Sequence, residues 1–197
     1  MKEDQAEEKN QEPTSKGAFA DFSFQFSAAR EFQKVEKKIF NLLCSIAVKN
    51  SSENKKQGIL VVLGNFDNKK DSIVYGMRQI GVNPIQKYIN VSNNSFEKEI
   101  KKLFDQNYDG AIIINRSGQI IGAKVYLTVQ NPALDVPEGC GTRHISAASF
   151  SMREDVMAVF TLSEETHVVR IWKSGSFVEQ YTPDEEGNGE PKAQEVR

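Results

Sequence analysis

Ile59–Leu63 reads Ile-Leu-Val-Val-Leu, a short apolar run of the kind that forms a strand buried on both faces of a sheet. It constrains the fold most because it follows a stretch of different period. Phe32, Val35, Ile39, Leu42, Leu43 and Ile46 fall at helical spacing and predict a helix over about 27–49, stopped by the polar run NSSENKKQG. A buried strand entered from an amphipathic helix points to an α/β layer structure.

The rest of the chain continues the alternation. Ile73, Met77 and Ile80 predict a helix over 69–80, closed by Gly81 and Pro84. Asn94 with Glu97 three residues on is a variant capping box opening a helix whose apolar positions are Phe96, Ile100, Leu103 and Phe104. Strands are expected over 111–115 and 119–129, joined by Arg116-Ser117-Gly118. A loop with Pro132 and Pro137 leads into a helix from Thr142 to about 153. Strands near 156–162, 167–173 and 176–180 complete the order, the last two linked by a hairpin turn at Lys173-Ser174-Gly175-Ser176. The expected fold is a single α/β domain with a mixed, twisted β-sheet flanked by helices.

The 197 residues suffice for one domain and are too few for two of ordinary size. Residues 1–18 and 183–197 are polar and are expected to be disordered tails. They bracket an arm and helix over 19–57 and a folded domain over 58–182. Phe22, Phe24 and Phe26 alternate with Ser and Gln, as in an edge strand or arm packed on the domain, or in a docking segment for a second subunit. A formal net charge of -2 provides no global basic field, so no nucleic-acid partner is expected. No window approaches the 18 or so consecutive apolar residues of a membrane span. The N-terminus lacks a signal-peptide apolar run, and Cys44 and Cys140 lack metal-ligand spacing. A cytoplasmic protein without a membrane partner is the expectation.

Three segments carry polar chemistry. In Asp109-Gly110-Ala111 a carboxylate stands where a strand begins, followed by residues small enough for a ligand to approach the backbone; an ordinary turn reads the same way. Gly139-Cys140-Gly141-Thr142-Arg143-His144 is a glycine-rich turn entering a helix. There Thr142 could cap the helix, Arg143 offers a phosphate-matched fork and His144 adds a donor or metal ligand. It is not a Walker A loop, since no Gly-Lys-Ser/Thr follows, and a capped helix with a surface arginine and a core histidine is an equal reading. Ser163-Glu164-Glu165-Thr166 is a hydrophilic turn at a strand end that could also meet phosphate or metal.

Taken in order, Asp109-Gly110-Ala111, Tyr126-Leu127, Gly141-Thr142-Arg143-His144 with Ala147, and Ser163-Glu164-Glu165-Thr166 resemble the catalytic domain of diadenylate cyclases over roughly Gly58 to Phe177. The Gly58–Gly64 segment and Asn83-Pro84 are most similar to archaeal-type members. The resemblance implies condensation of two ATP into cyclic di-AMP with loss of two pyrophosphates, assisted by Mn²⁺ or Mg²⁺. It also implies a homodimer of facing active sites, with a different oligomer possible at rest. It assigns the metal to Asp109, the catalytic roles to Asp109, Arg143 and His144, and the ATP contacts to Gly110, Ala111, Tyr126, Leu127, Gly141, Thr142, Arg143, His144, Ser163, Glu164 and Glu165. Two departures from the family pattern are Ile145, where many bacterial members have Arg, and Tyr108, where many have His. A catalytically silent sensor of ATP or cyclic di-AMP is the alternative.

Overall fold

The computed structural model describes residues 16–65, 77–79, 85, 87–105, 110–129, 136–184 and 191–193. Asp109, Tyr108, Asn83-Pro84, Pro132 and most of the segment expected as a helix over 69–80 lie outside them. Among the described residues the order is α1 (Lys16–Ser52), β1 (Ile59–Gly64), β2 (Met77–Gln79), α2 (Phe96–Asp105), β3 (Ala111–Ile114), β4 (Ile120–Leu127), α3 (Thr142–Ser151), β5 (Val156–Leu162), β6 (Val169–Lys173), β7 (Ser176–Tyr181) and β8 (Pro191–Ala193). The strands form one mixed sheet in the order β2-β4-β3-β1-β5-β6-β7-β8. Among the described residues only β1 and β3 pair in parallel, with Val62 opposite Ile113, and the other pairs are antiparallel.

Strand periodicity divides the buried residues between two faces. Ile59, Val61 and Leu63 of β1, Ile112 and Ile114 of β3, and Phe160 and Leu162 of β5 pack with α1 and α2. Val62, Ala111, Ile113, Val159 and Trp172 face α3. Val35, Ile39, Leu42, Leu43 and Ile46 are the buried stripe of α1, and Phe96, Ile100 and Leu103 that of α2. The expected helical faces are the ones that pack. Cys44, half-buried on α1, has its thiol pushed up to about 12 by burial and by the nearby Glu179 carboxylate. Among the described residues no helix is long and apolar enough to cross a membrane.

Local stops follow the turn chemistry. At the end of α1, Asn54 is left-handed (φ 50) and the Lys55 N–H donates to the Asn50 carbonyl at 2.8 Å, a Schellman-type closure. Between β3 and β4 the Asn115 side chain accepts from the N–H groups of Ser117 and Gln119. Ser174 (φ 50) and Gly175 (φ 87) form the left-handed pair of a two-residue hairpin between β6 and β7. That turn is tied down, since its two N–H groups donate to the Ser151 carbonyl and hydroxyl, both at 2.9 Å.

Several expectations are corrected. Helix α1 starts at Lys16, so Phe22, Phe24 and Phe26 lie on a helix rather than an edge strand. Helical propagation outward from the packed stripe overrides the local alternation. Met77–Gln79, expected to be helical, pairs with β4 (Met77 opposite Leu127), where sheet hydrogen bonding replaces a short helical pattern. Pro191–Ala193, expected in a disordered tail, pairs with β7. Helix α2 begins at Phe96, with the Ser95 carbonyl accepting the Glu99 N–H, so Asn94 lies before the cap and Glu97 pairs with Lys101 instead. His167 is left-handed (φ 54), outside the strand expected to contain it, and its Nε2 lies 3.1 Å from the Lys55 carbonyl.

Candidate functional site

A cavity of about 320 Å³ opens at the sheet edge where β1 and β3 begin and β4 and β5 end. The topology makes this edge a meeting point. With β1 parallel to β3 and antiparallel to β5, the starts of two strands and the ends of their neighbours fall together. Gly58, Ile59 and Leu60 wall it from the entry to β1, Gly110 and Ile112 from the entry to β3, Lys124 from β4, Glu164 from the turn after β5, and Arg143 from the first turn of α3. Among the described residues its charged lining is Lys56, Lys124 and Arg143 against Glu164, an excess of cations suited to a polyanionic ligand.

Glycines allow the walls to close. The Arg143 guanidinium lies where a Cβ on Gly58 would stand, so any larger residue there would displace it. Gly110 has φ 103, and a Cβ on it would sit 2.9 Å from the Val125 backbone N and O. Both the conformation and the close approach of β4 therefore require glycine there. Gly141 differs: among the described residues, a Cβ added there would meet nothing within 4 Å.

Gly141, not Thr142, is the cap residue of α3, and among the described residues no side chain bonds that helix end. Its carbonyl accepts from His144 N–H at 3.0 Å, while Thr142 and Arg143 open the helix. Arg143 reaches Glu164 at 3.8 Å (Nη2 to Oε2), and both side chains are partly exposed. Glu164 is thus the acidic residue of the 163–166 turn that lines the cavity, and Glu165 is exposed outside it. Ser163 is buried and its Oγ accepts the Thr166 N–H at 3.2 Å, holding the turn that presents Glu164.

Other predicted site residues stand elsewhere. His144 is buried under α3, with Nε2 3.4 Å from Arg170 Nη1 and its ring 6.0 Å from Trp172, and is not among the cavity's lining residues. Burial first, then the Arg170 and Arg143 charges, lower its pKa to about 4, so the ring is neutral at pH 7. Since arginine only donates, Nε2 accepts and the proton sits on Nδ1. Tyr126 is exposed beyond the last β3–β4 pair, and the Leu127 side chain is buried in the core below α3. Ala111 is fully buried behind Gly110. Asp109, next to Gly110, lies outside the described residues.

Gln57 and Lys124 also border the cavity, without belonging to any sequence motif. Gln57 donates to the Phe104 carbonyl at 2.9 Å and accepts from the buried Asn50 at 3.3 Å, joining the ends of α1 and α2 at the cavity wall. A polar loop residue carries no sequence signal for that role. Among the described residues no three His, Cys, Asp or Glu side chains cluster as a metal cage. A hard divalent cation shared with phosphate oxygens needs only one or two carboxylates, and Glu164 fits that requirement.

The family model described as DisA bacterial checkpoint controller nucleotide-binding matches residues 45–177, a span that contains the whole cavity. Two relatives are named diadenylate cyclase. The one from Haloferax volcanii is 26% identical over 81% of this chain, and the one from Methanocaldococcus jannaschii 32% identical over 46%. The chain spans 56% and 32% of those two relatives' lengths. Among solved structures, a double-cysteine mutant of DacA from Staphylococcus aureus has the same fold. It aligns with a TM-score of 0.50 at 23% identity, over 74% of this chain and 85% of that one.

Proposed function

The chain belongs to the diadenylate cyclase family, through its DisA-type nucleotide-binding domain, and from that premise we propose that it condenses two ATP into cyclic di-AMP and two pyrophosphates. The observation that carries the reading is the cationic cavity itself, where Arg143 and Glu164 stand over Gly58 beside Gly110, inside the matched span.

In the proposed reaction each 3′-hydroxyl attacks the α-phosphate of the other nucleotide. A P–O bond forms, the bond to pyrophosphate breaks and the hydroxyl proton is lost. Arg143 binds the triphosphate and offsets charge that grows around phosphorus. Gly110, with the small Ala111 buried behind it, lets the nucleotide lie against the backbone, and Gly141 and Thr142 present the first N–H groups of α3 to phosphate. Ser163 shapes the turn from which Glu164 faces the phosphates. Asp109 is assigned to the metal and to the attacking hydroxyl by the family motif. His144 acts from beneath, as a neutral residue holding the first turn of α3 in place. Mn²⁺ or Mg²⁺, when bound, supplies charge neutralisation for the phosphates and the leaving group.

Because one cavity holds one ATP, two protomers must face each other, and positioning does much of the catalytic work. Specific activity should therefore rise with protein concentration, and a flat value down to nanomolar protein would remove the dimer from the mechanism. The primary test is detection of cyclic di-AMP by mass spectrometry after incubation with ATP and Mn²⁺, with Asp109→Asn in parallel. Product from the parent alone is expected. Product from both would remove Asp109 from its role. ATP binding without product from either would leave a nucleotide sensor.

A further inference from the structure

The strand β4 is interrupted where it borders the cavity. Ala111 pairs with Val125 and Ile113 with Gly122, so β4 spends one more residue than β3 across this interval. The side chains record the insertion. Ala123 packs with the α1-side core and Val125 with the α3-side core, although residues two apart in a regular strand share a face. The residue between them, Lys124, is left-handed with φ 59. Bulges of this geometry ordinarily place glycine at the left-handed position. A β-strand lysine held there is strained, and such strain concentrates at functional sites.

Two further facts give the bulge a direction. Lys124 lines the cavity that Arg143 and Gly110 also line. Gly110 is itself left-handed, and its missing Cβ leaves room for the Lys124–Val125 peptide to approach within 2.9–3.0 Å of the position a Cβ would take. The two irregular residues thus form one device, in which β3 gives way so that the β4 bulge can turn a long cation toward the cavity.

We propose that Lys124 is a phosphate-binding residue of this cavity, contacting the triphosphate of bound ATP opposite Arg143, and that the β4 bulge exists to place it. The inference rests on the reading of the cavity as a nucleotide site. A flexible ammonium suits this position, since it follows a shifting phosphate chain while the planar Arg143 fork fixes one phosphate group.

The test is calorimetric titration of the full chain with ATP and with adenosine, in EDTA, for the parent and for Lys124→Met, Lys124→Arg and Lys124→Gly. Lys124→Met is expected to weaken ATP about tenfold or more, as befits loss of a charge-assisted contact, and to leave adenosine unchanged. Its ATP affinity should also depend less on salt. Lys124→Arg should retain most of the affinity. Lys124→Gly should bind ATP as poorly as Lys124→Met yet melt at a higher temperature, because glycine relieves the left-handed strain. That opposite movement of binding and melting is one that a purely structural lysine would not produce, and Lys124→Gly carries the test if Lys124→Met fails to fold. Undiminished ATP affinity in either neutral variant overturns the proposal, as does equal weakening of ATP and adenosine. Failure of the parent to bind ATP in EDTA and with Mn²⁺ alike would instead overturn the nucleotide reading beneath it.

Discussion

Beneath α1 and α2 the sheet meets mostly aliphatic and aromatic side chains, whereas beneath α3 its apolar cluster is joined by a row of buried polar groups. On the first face Leu43, Ile39, Phe96 and Ile100 are essentially sealed from solvent. On the second, His144, Ser146, Ser149 and Ser151 of α3 are buried with Thr161 of the sheet. There Trp172 Nε1–H donates to Thr161 Oγ1 at 2.9 Å, and Ser151 serves both its own helix and the β6–β7 turn. Apolar burial is non-directional and tolerates small displacements, while a hydrogen-bonded layer holds a helix in one place. The α1 side therefore supplies stability, and the α3 side supplies the fixed position of Arg143 over the cavity.

Substitutions can break that division. Leu43→Ala should have the largest effect on stability, about 2–5 kcal/mol, read as a lower denaturant midpoint. ATP affinity below the transition should be unchanged, and a parallel loss would erase the distinction between the faces. Arg143→Ala should reverse the pattern, with kcat/KM for cyclic di-AMP synthesis down about 100-fold and the melting temperature within a few degrees of the parent. Thr161→Val should cost about 1–3 kcal/mol by leaving the Trp172 N–H buried without an acceptor, and it should also lower activity by loosening the layer under α3. Gly58→Ala should lower kcat/KM about tenfold through displacement of the guanidinium, with little change in stability.

The smallest effect concerns pH. Burial and two arginines depress the His144 pKa to about 4, below its ordinary value near 6.5. Between these values the unfolded chain binds more protons at this site than the folded one. Stability from His144 is therefore complete above about pH 6.5 and declines as pH falls toward 4. Melting curves across this window should show a steeper acid loss for the parent than for His144→Gln. Superimposable slopes would mean that His144 is not desolvated as the structure has it.

Much of this division is legible in the sequence. The Val35-to-Ile46 stripe, the short apolar runs of β1, β3 and β5, and the Ser174-Gly175 hairpin carry strong periodic or turn signals, and each forms as expected. What stayed hidden depended on distant partners. Met77–Gln79 becomes a strand only because β4 offers it an edge, and Pro191–Ala193 only because β7 does. At the site, the Gly141-Thr142-Arg143-His144 motif was visible, but its neighbouring residues diverge: Arg143 enters the cavity while His144 turns into the core. A one-residue step along a helix rotates the side chain by about 100°, which composition cannot report. Lys124 gave no signal, because a bulge depends on the register of two strands rather than on local sequence.

The cavity walls come from opposite parts of the chain, Gly58 ahead of β1 and Glu164 after β5, and meet only when β1 has found β5. During synthesis the cavity cannot close until the chain beyond Glu164 has left the ribosome, so on the proposed function nucleotide binding would come after that point. A ligand that spans this junction joins the earliest-made and later-made strands, so saturating ATP should raise the melting temperature of the entire domain rather than of one loop. Nucleotide supply would then bear on how much of the newly made protein survives.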